Sequence, residues 1–245
     1  MTAHPVEPLT ATAPRPVGRT VFGQDWTDLA MLHWPVPPAV VAPLLPAGTR
    51  PDVLHGVTYV GLVPFVMRSV RILGTPPLPH LSAFAETNVR LYAVDGAGRR
   101  GVVFRSLEAA RLLPVLAARA SYRLPYAWSR MAVRHGPGTV SYETSRRWPG
   151  PRGAGGLVRV RVGEPVEADE LQLFLTARWG LFSTWYGGRT AYAPVDHPTW
   201  PLHRAELLEL SDDLVRAAGL PEPVGEPHVM WSPGVRVRIG RPRPL

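Results

Sequence analysis

Strict alternation of valine and arginine is the plainest pattern in this chain. Val158-Arg159-Val160-Arg161-Val162 and Val235-Arg236-Val237-Arg238-Ile239 put apolar side chains on one face and guanidinium groups on the other. That is the pattern of strands with one buried and one solvated face. Less regular apolar runs predict strands over residues 26–34, ended by Pro35, over 57–70 with a bend near Pro64, and over 139–146 and 228–231. Residues 202–210 alternate weakly and read as a strand rather than a helix. Residues 84–94 and 101–105 flank Asp95-Gly96-Ala97-Gly98, a strong hairpin signal.

Helical patterning is sparse. Residues 38–45 predict a short helix with proline in its first turn and Pro46 as its stop. Ser106 reads as the cap of a helix beginning Leu107-Glu108-Ala109, with apolar Leu112, Leu113 and Leu116 and a kink at Pro114. Residues 170–179 place Leu171, Phe174 and Leu175 on one face. Ser211-Asp212-Asp213 caps a last short helix that ends at Gly219. The expectation is an α+β domain over residues 20–245 with a strongly curved or closed sheet. It follows a flexible tail, residues 1–19, rich in proline, threonine and alanine.

Composition sharpens this picture in two places. With 29 prolines and 23 glycines, turns are frequent and long helices few. The absence of cysteine excludes disulfides, thiolate nucleophiles and cysteine metal sites. A hydrophobic fraction of 45% and no apolar run of membrane length fit a soluble protein, with the cytoplasm as default and no membrane partner. The net charge of +8 invites a nucleic-acid reading. However, the arginines are scattered and interleaved with valine, so nucleic acid is not the expected partner.

Chemistry concentrates on residues 83–93. Period-2 alternation puts Phe84, Glu86, Asn88, Arg90 and Tyr92 on one face and Ala85, Thr87, Val89, Leu91 and Ala93 on the other. The first face carries a carboxylate, an amide and a guanidinium between two aromatic residues. That row is either a solvated face or a pocket wall, and the flanking aromatics suit a wall. Arg90 then offers a fork for a carboxylate, and Glu86 becomes the candidate catalytic proton carrier. Arg119 and Tyr126 form a second anion-binding candidate, although Arg119 and Arg123 equally suit the dipole at a helix C-terminus. His33, at the end of the first strand, is a further candidate contact. His197 and His203 lack metal-site spacing and a third ligand, so packed histidines are expected and no metal. No nucleophile elbow, P-loop or dinucleotide fingerprint is present, and no cofactor is expected.

Several phrases in order resemble the YqjF-like family of bacterial proteins (domain of unknown function 2071). They include His33-Trp34-Pro35, Gly61-Leu62-Val63-Pro64-Phe65, the run from Phe84 to Tyr92, and Gly101-Val102-Val103-Phe104-Arg105-Ser106-Leu107-Glu108-Ala109. Arg119 with Leu124-Pro125-Tyr126, Phe174-Leu175-Thr176-Ala177-Arg178-Trp179, and His197 with Trp200-Pro201-Leu202 complete the set. The resemblance implies an acetoacetate decarboxylase-like fold, a cone-shaped and largely antiparallel β-barrel with short flanking helices and an internal pocket. Phe84-Ala85-Glu86 is similar to the strand that supplies an acidic pocket residue in that group. The group's catalytic lysine has no counterpart, because all 27 basic residues of the Lys+Arg class are arginine. Arginine cannot form the imine, so a Schiff-base mechanism is excluded.

Two functions follow. One is an enzyme acting on a small carboxylate or oxo-acid by lyase, isomerase or hydratase-type acid–base chemistry. Arg90 or Arg119 would hold the anion, Glu86 would move a proton, and Tyr126 or Asn88 would polarise a carbonyl. The other is a non-catalytic barrel binding the same kind of anionic small molecule. A homo-oligomer is compatible with either.

Overall fold

Backbone pairing between strands organises the chain, and helices only stopper the result. The computed structural model describes residues 4–77, 83–112, 116, 119 and 122–245. The strands are β1 (Thr20–Val36), β2 (Thr49–Pro51), β3 (Thr58–Ile72), β4 (Phe84–Asp95), β5 (Arg100–Ala109), β6 (Tyr126–Gly136) and β7 (Thr139–Trp148). They continue as β8 (Gly155–Val166), β9 (Gly180–Thr184), β10 (Thr190–Asp196), β11 (Leu202–Asp212), β12 (His228–Gly240) and β13 (Arg243–Pro244). The short helices α1 (Pro38–Val41), α2 (Glu170–Thr176) and α3 (Leu214–Ala217) lie between them.

Among the described residues, nine strands close in the order β5-β6-β7-β8-β11-β12-β1-β3-β4, because β4 pairs back onto β5. The barrel is mixed: β5 runs parallel to β6 and β9, and the other pairs are antiparallel. A second closed path shares β12, β1, β3, β4 and β5, with β9 and β10 bridging β5 to β12. The shared strands therefore form a partition between two interiors. Alternation assigns their side chains cleanly. Leu29, Met31, Val63, Phe65, Phe84 and Tyr92 belong to one core, and Ala30, Leu32, Leu62, Val89, Leu91 and Val103 to the other. Phe174 and Leu175 of α2 pack in the first core, and Leu214 and Val215 of α3 in the second.

Local chemistry accounts for the elements. Asp95 Oδ1 accepts the backbone N–H groups of Ala97 and Arg99, and Gly98 takes φ 81°, which closes the expected hairpin. Asp169 and Gln172 form a capping box at α2. Asp212 accepts the N–H groups of Leu214 and Val215 and so starts α3. The β1–β3 register shifts between Thr27 and Leu32, the stretch opposite Pro64, which has no N–H to give the ladder.

Three expectations need correction. Ser106 does not cap a helix: β5 continues to Ala109, with Leu107 and Ala109 toward the first interior and Ser106 and Glu108 toward the second. There the Ser106 and Ser129 hydroxyls and the Arg146 guanidinium all donate to the fully buried Glu108 carboxylate. A serine and a glutamate two residues apart thus serve a strand's inward face. Helical backbone occurs further on, at Leu112, Leu116, Arg119 and Tyr122; Leu113 and Pro114 lie outside the described residues. The two expected C-terminal strands are one, β12, running through Gly234 at φ 122°, where a Cβ would sit 1.9 Å from the Trp26 carbonyl oxygen. Finally, β6, β9 and β10 escape the pattern reading.

Residues 4–19, read as a loose tail, carry bonds to the barrel. The Glu7 N–H donates to the Gly98 carbonyl at 3.0 Å, Arg100 Nε to the Glu7 carbonyl at 2.7 Å, and Arg15 to the Tyr192 hydroxyl at 3.0 Å. One main-chain bond and two isolated arginine side chains make these contacts, so no periodicity announces them. No helix among the described residues is long and apolar enough to cross a membrane.

Candidate functional site

The interior enclosed by β9 and β10 is hollow. A cavity of about 640 Å³ is walled by β1, β3, β4, β5, β9, β10 and β12, with Tyr126 at the start of β6 also on its wall. Its polar groups include Glu86 and Arg90 on β4, Tyr126, Gln24 on β1, Thr176 at the end of α2, Arg178 just beyond it, and His197.

Arg90 sits at the centre of a network. His33, Gly61 and Arg90 are directly opposed across β1, β3 and β4. A Cβ at the middle position would lie 3.0 Å from the His33 ring and 3.1 Å from Arg90 Cγ, tighter than ordinary contact, so glycine lets the two side chains approach. Arg90 Nε donates to the Tyr92 hydroxyl at 3.0 Å and Nη2 to the Leu175 carbonyl at 3.2 Å. Tyr92 Oη lies 2.7 Å from His33 Nε2, which is also 3.4 Å from Arg90 Nη2. A guanidinium can only donate, so Nε2 is the acceptor and the proton sits on Nδ1, which has no partner. Burial and the Arg90 charge hold the His33 pKa well below the ordinary 6.5, so the ring is neutral.

Positive charge exceeds negative charge here. Asp52 pairs with both Arg178 and Arg100, and Arg178 lies over the rings of Phe174 and Tyr92, 4.3 and 4.7 Å from their centroids. Arg90 is 7% exposed, and among the described residues no carboxylate forms an ion pair with it. Buried charges are ordinarily paired. An unpaired guanidinium on a cavity wall is a place for an anion.

Glu86 does not supply that charge. It is 2% exposed, and burial pushes its carboxyl up to about 8 against the downward pull of the Tyr126 hydrogen bond, 3.1 Å from Oη to Oε2. Tyr126 itself is held well above 10 by burial and by Glu86. At neutral pH the wall thus presents a protonated carboxyl beside a neutral phenol. His197 stacks on Trp179 at 4.4 Å and leans on Trp200 at 5.2 Å. Its Nδ1 donates to the Pro198 carbonyl at 2.7 Å, which leaves Nε2 with a lone pair, and burial lowers its pKa to about 4. The cavity therefore combines a cation without an ion-pair partner among the described residues, a neutral acid and a neutral base.

The structure brings together Glu86, Arg90 and Tyr126 from the sequence candidates. Asn88 is buried with its Oδ1 unpartnered and is not on the cavity wall. His33 lies behind Arg90, as a support. Arg119 points elsewhere: Nη1 donates to the Tyr126 carbonyl at 2.5 Å, and the guanidinium lies over Trp148. Arg178 and His197 reach the cavity although the sequence candidates omit them. Their signals were present only as members of the phrases Phe174–Trp179 and His197–Leu202, with no spacing to mark a role.

A closed mixed barrel around a polar-floored cavity is the acetoacetate decarboxylase-like fold. The enduracididine biosynthesis enzyme MppR complexed with pyruvate superposes with a TM-score of 0.65 at 14% identity, covering 91% of this chain and 90% of that one. An acetoacetate decarboxylase-like enzyme from Sphingomonas wittichii RW1 gives 0.64 at 14% identity, covering 99% of both chains. At such identity the likeness is one of fold. Residues 23–236 match domain of unknown function 2071, described as an uncharacterized conserved protein, and the chain belongs to that family. The uncharacterized protein YqjF of Bacillus subtilis (strain 168) is 29% identical over 218 residues, 89% of each chain.

Proposed function

We propose that the cavity binds an organic carboxylate bearing an oxo or hydroxyl group and moves a proton on it without an imine. The observation that carries this is the buried, unpaired Arg90 guanidinium on the same wall as a protonated Glu86. Arg90 holds the carboxylate. Glu86, with Tyr126 on its other oxygen, donates its proton to the ligand's oxo oxygen as the labile proton on the neighbouring carbon is removed. His197 Nε2 is the complementary acceptor. No lysine exists to form a Schiff base, so activation rests on hydrogen bonding and charge. A protein of the same fold, MppR, is known in complex with pyruvate, which supports an oxo-acid in this interior.

The test is proton exchange. Oxo-acids are incubated with the protein in deuterated buffer, and loss of the protons next to the oxo group is followed by NMR. Wild type is expected to accelerate exchange and Glu86→Gln to lose at least a hundredfold, in line with the typical size of general acid–base catalysis. Binding without exchange in wild type would instead establish the non-catalytic barrel. No binding of any oxo-acid would refute both.

A further inference from the structure

Cavity size and the placement of its polar groups carry a statement about the length of the ligand, and this statement rests on the carboxylate-at-Arg90 reading above. A volume of about 640 Å³ holds on the order of twenty non-hydrogen atoms at the ~30 Å³ of a liquid water. A three- or four-carbon oxo-acid fills about a third of that.

Geometry along β4 points the same way. Arg90 and Glu86 are four positions apart on one strand face, a backbone separation of roughly 13 Å. The Arg90 guanidinium lies over Tyr92, 5.6 Å from the ring centroid, on the side away from Glu86. A very short acid touches one of the two groups and cannot span both.

Beyond Glu86 the wall is mainly apolar, with Gln24 and Thr75 among its polar members. Phe84 pairs with Met67, and β3 runs on through Val70 to Ile72, opposite Phe22. From Phe65, the partner of Glu86, to Ile72 is at most roughly 23 Å of strand. At the rim, Ile72 and Leu73 are 43% and 55% exposed, an oily entrance on a protein with many charged surface positions to spare.

We propose that the ligand is an elongated organic acid. Its carboxylate sits at Arg90, its oxo or hydroxyl group lies partway along beside Glu86, and an apolar chain continues to the Ile72–Leu73 rim. An overall length of roughly eight to fourteen carbons matches the volume.

The experiment is a calorimetric titration of the full chain with straight-chain carboxylates from four to fourteen carbons and with the methyl ester of each. Expected is selectivity for acid over ester, lost in Arg90→Met, and affinity that tightens about three- to fourfold per added methylene until the cavity is full. Ile72→Asp, at an exposed position, should weaken dodecanoate at least tenfold and leave butanoate unchanged. Acid selectivity with no dependence on length, or an Ile72→Asp variant that binds dodecanoate normally, would overturn the elongated ligand and leave the Arg90 reading standing. Equal binding of acids and esters by wild type would overturn both.

Discussion

A carboxyl and a guanidinium buried in one cavity would ordinarily neutralise each other, yet Glu86 bonds Tyr126 while Arg90 turns to Tyr92 and Leu175. Glu86 then carries a measurable pH signature. Its carboxyl titrates near 4.5 when unfolded and near 8 when folded. Between those values the folded protein keeps a proton that the unfolded chain has released, so stability falls as pH rises through the window and levels off above it. His197, lowered to about 4, has the opposite sign and costs stability as pH falls from 6.5 toward 4. Urea midpoints from pH 6.5 to 8 should decline in wild type and decline less in Glu86→Gln, whose amide oxygen still accepts from Tyr126. Parallel profiles would mean that Glu86 is ionised when folded. At this scale the sequence was legible where alternation rules: the parity that groups Glu86 with Arg90 is a property of any strand. It was mute about Arg178 and His197, which reach the cavity from turns, and it misplaced Asn88, whose parity is right but whose side chain lies off the wall.

Elements were readable where a local signal and the tertiary structure agree. The Asp95-Gly96-Ala97-Gly98 turn and the cap at Asp212 are local and came through. Residues 106–109 failed because Leu107, Glu108 and Ala109 favour helix locally, a weak preference that tertiary pairing overrode. What holds them in β5 is remote: Glu108 meets Arg146 of β7 and Ser129 of β6 inside the second interior. Arg146→Met strands that carboxylate and should cost about 3–5 kcal/mol, whereas adding Glu108→Leu should recover most of the loss. Chemical unfolding of both variants checks this; a stable single variant would show that the pair does not hold β5 in register. Likewise β9 and β10 are short and hold Gly180 and Pro194 at facing positions, so apolar alternation had little length in which to appear.

On the scale of the whole molecule, the positive charge is distributed rather than gathered. The solvated arginines of the alternating strands meet acids on adjacent strands: Arg159 with Glu209, Arg161 with Glu206, Arg236 with Asp25 and Arg238 with Asp196. Such pairs add little stability, but they occupy the guanidinium groups of these four arginines, which are then less available to a phosphate backbone. Duplex DNA should therefore bind weakly at physiological salt, and tight binding that collapses as salt rises would reverse that expectation. The partition shared by the two interiors has another consequence. β7 borders the packed side, β6, β8 and β11 border it over most of their length and reach the hollow side only at Tyr126, Val166 and Leu202, and β9 and β10 supply the far wall of the hollow side. A lineage can therefore exchange residues on β9, β10 and the rim, and so change what enters, while the opposite half keeps the shape. Divergence in diet and conservation of frame are separable in this architecture because they fall largely on different strands.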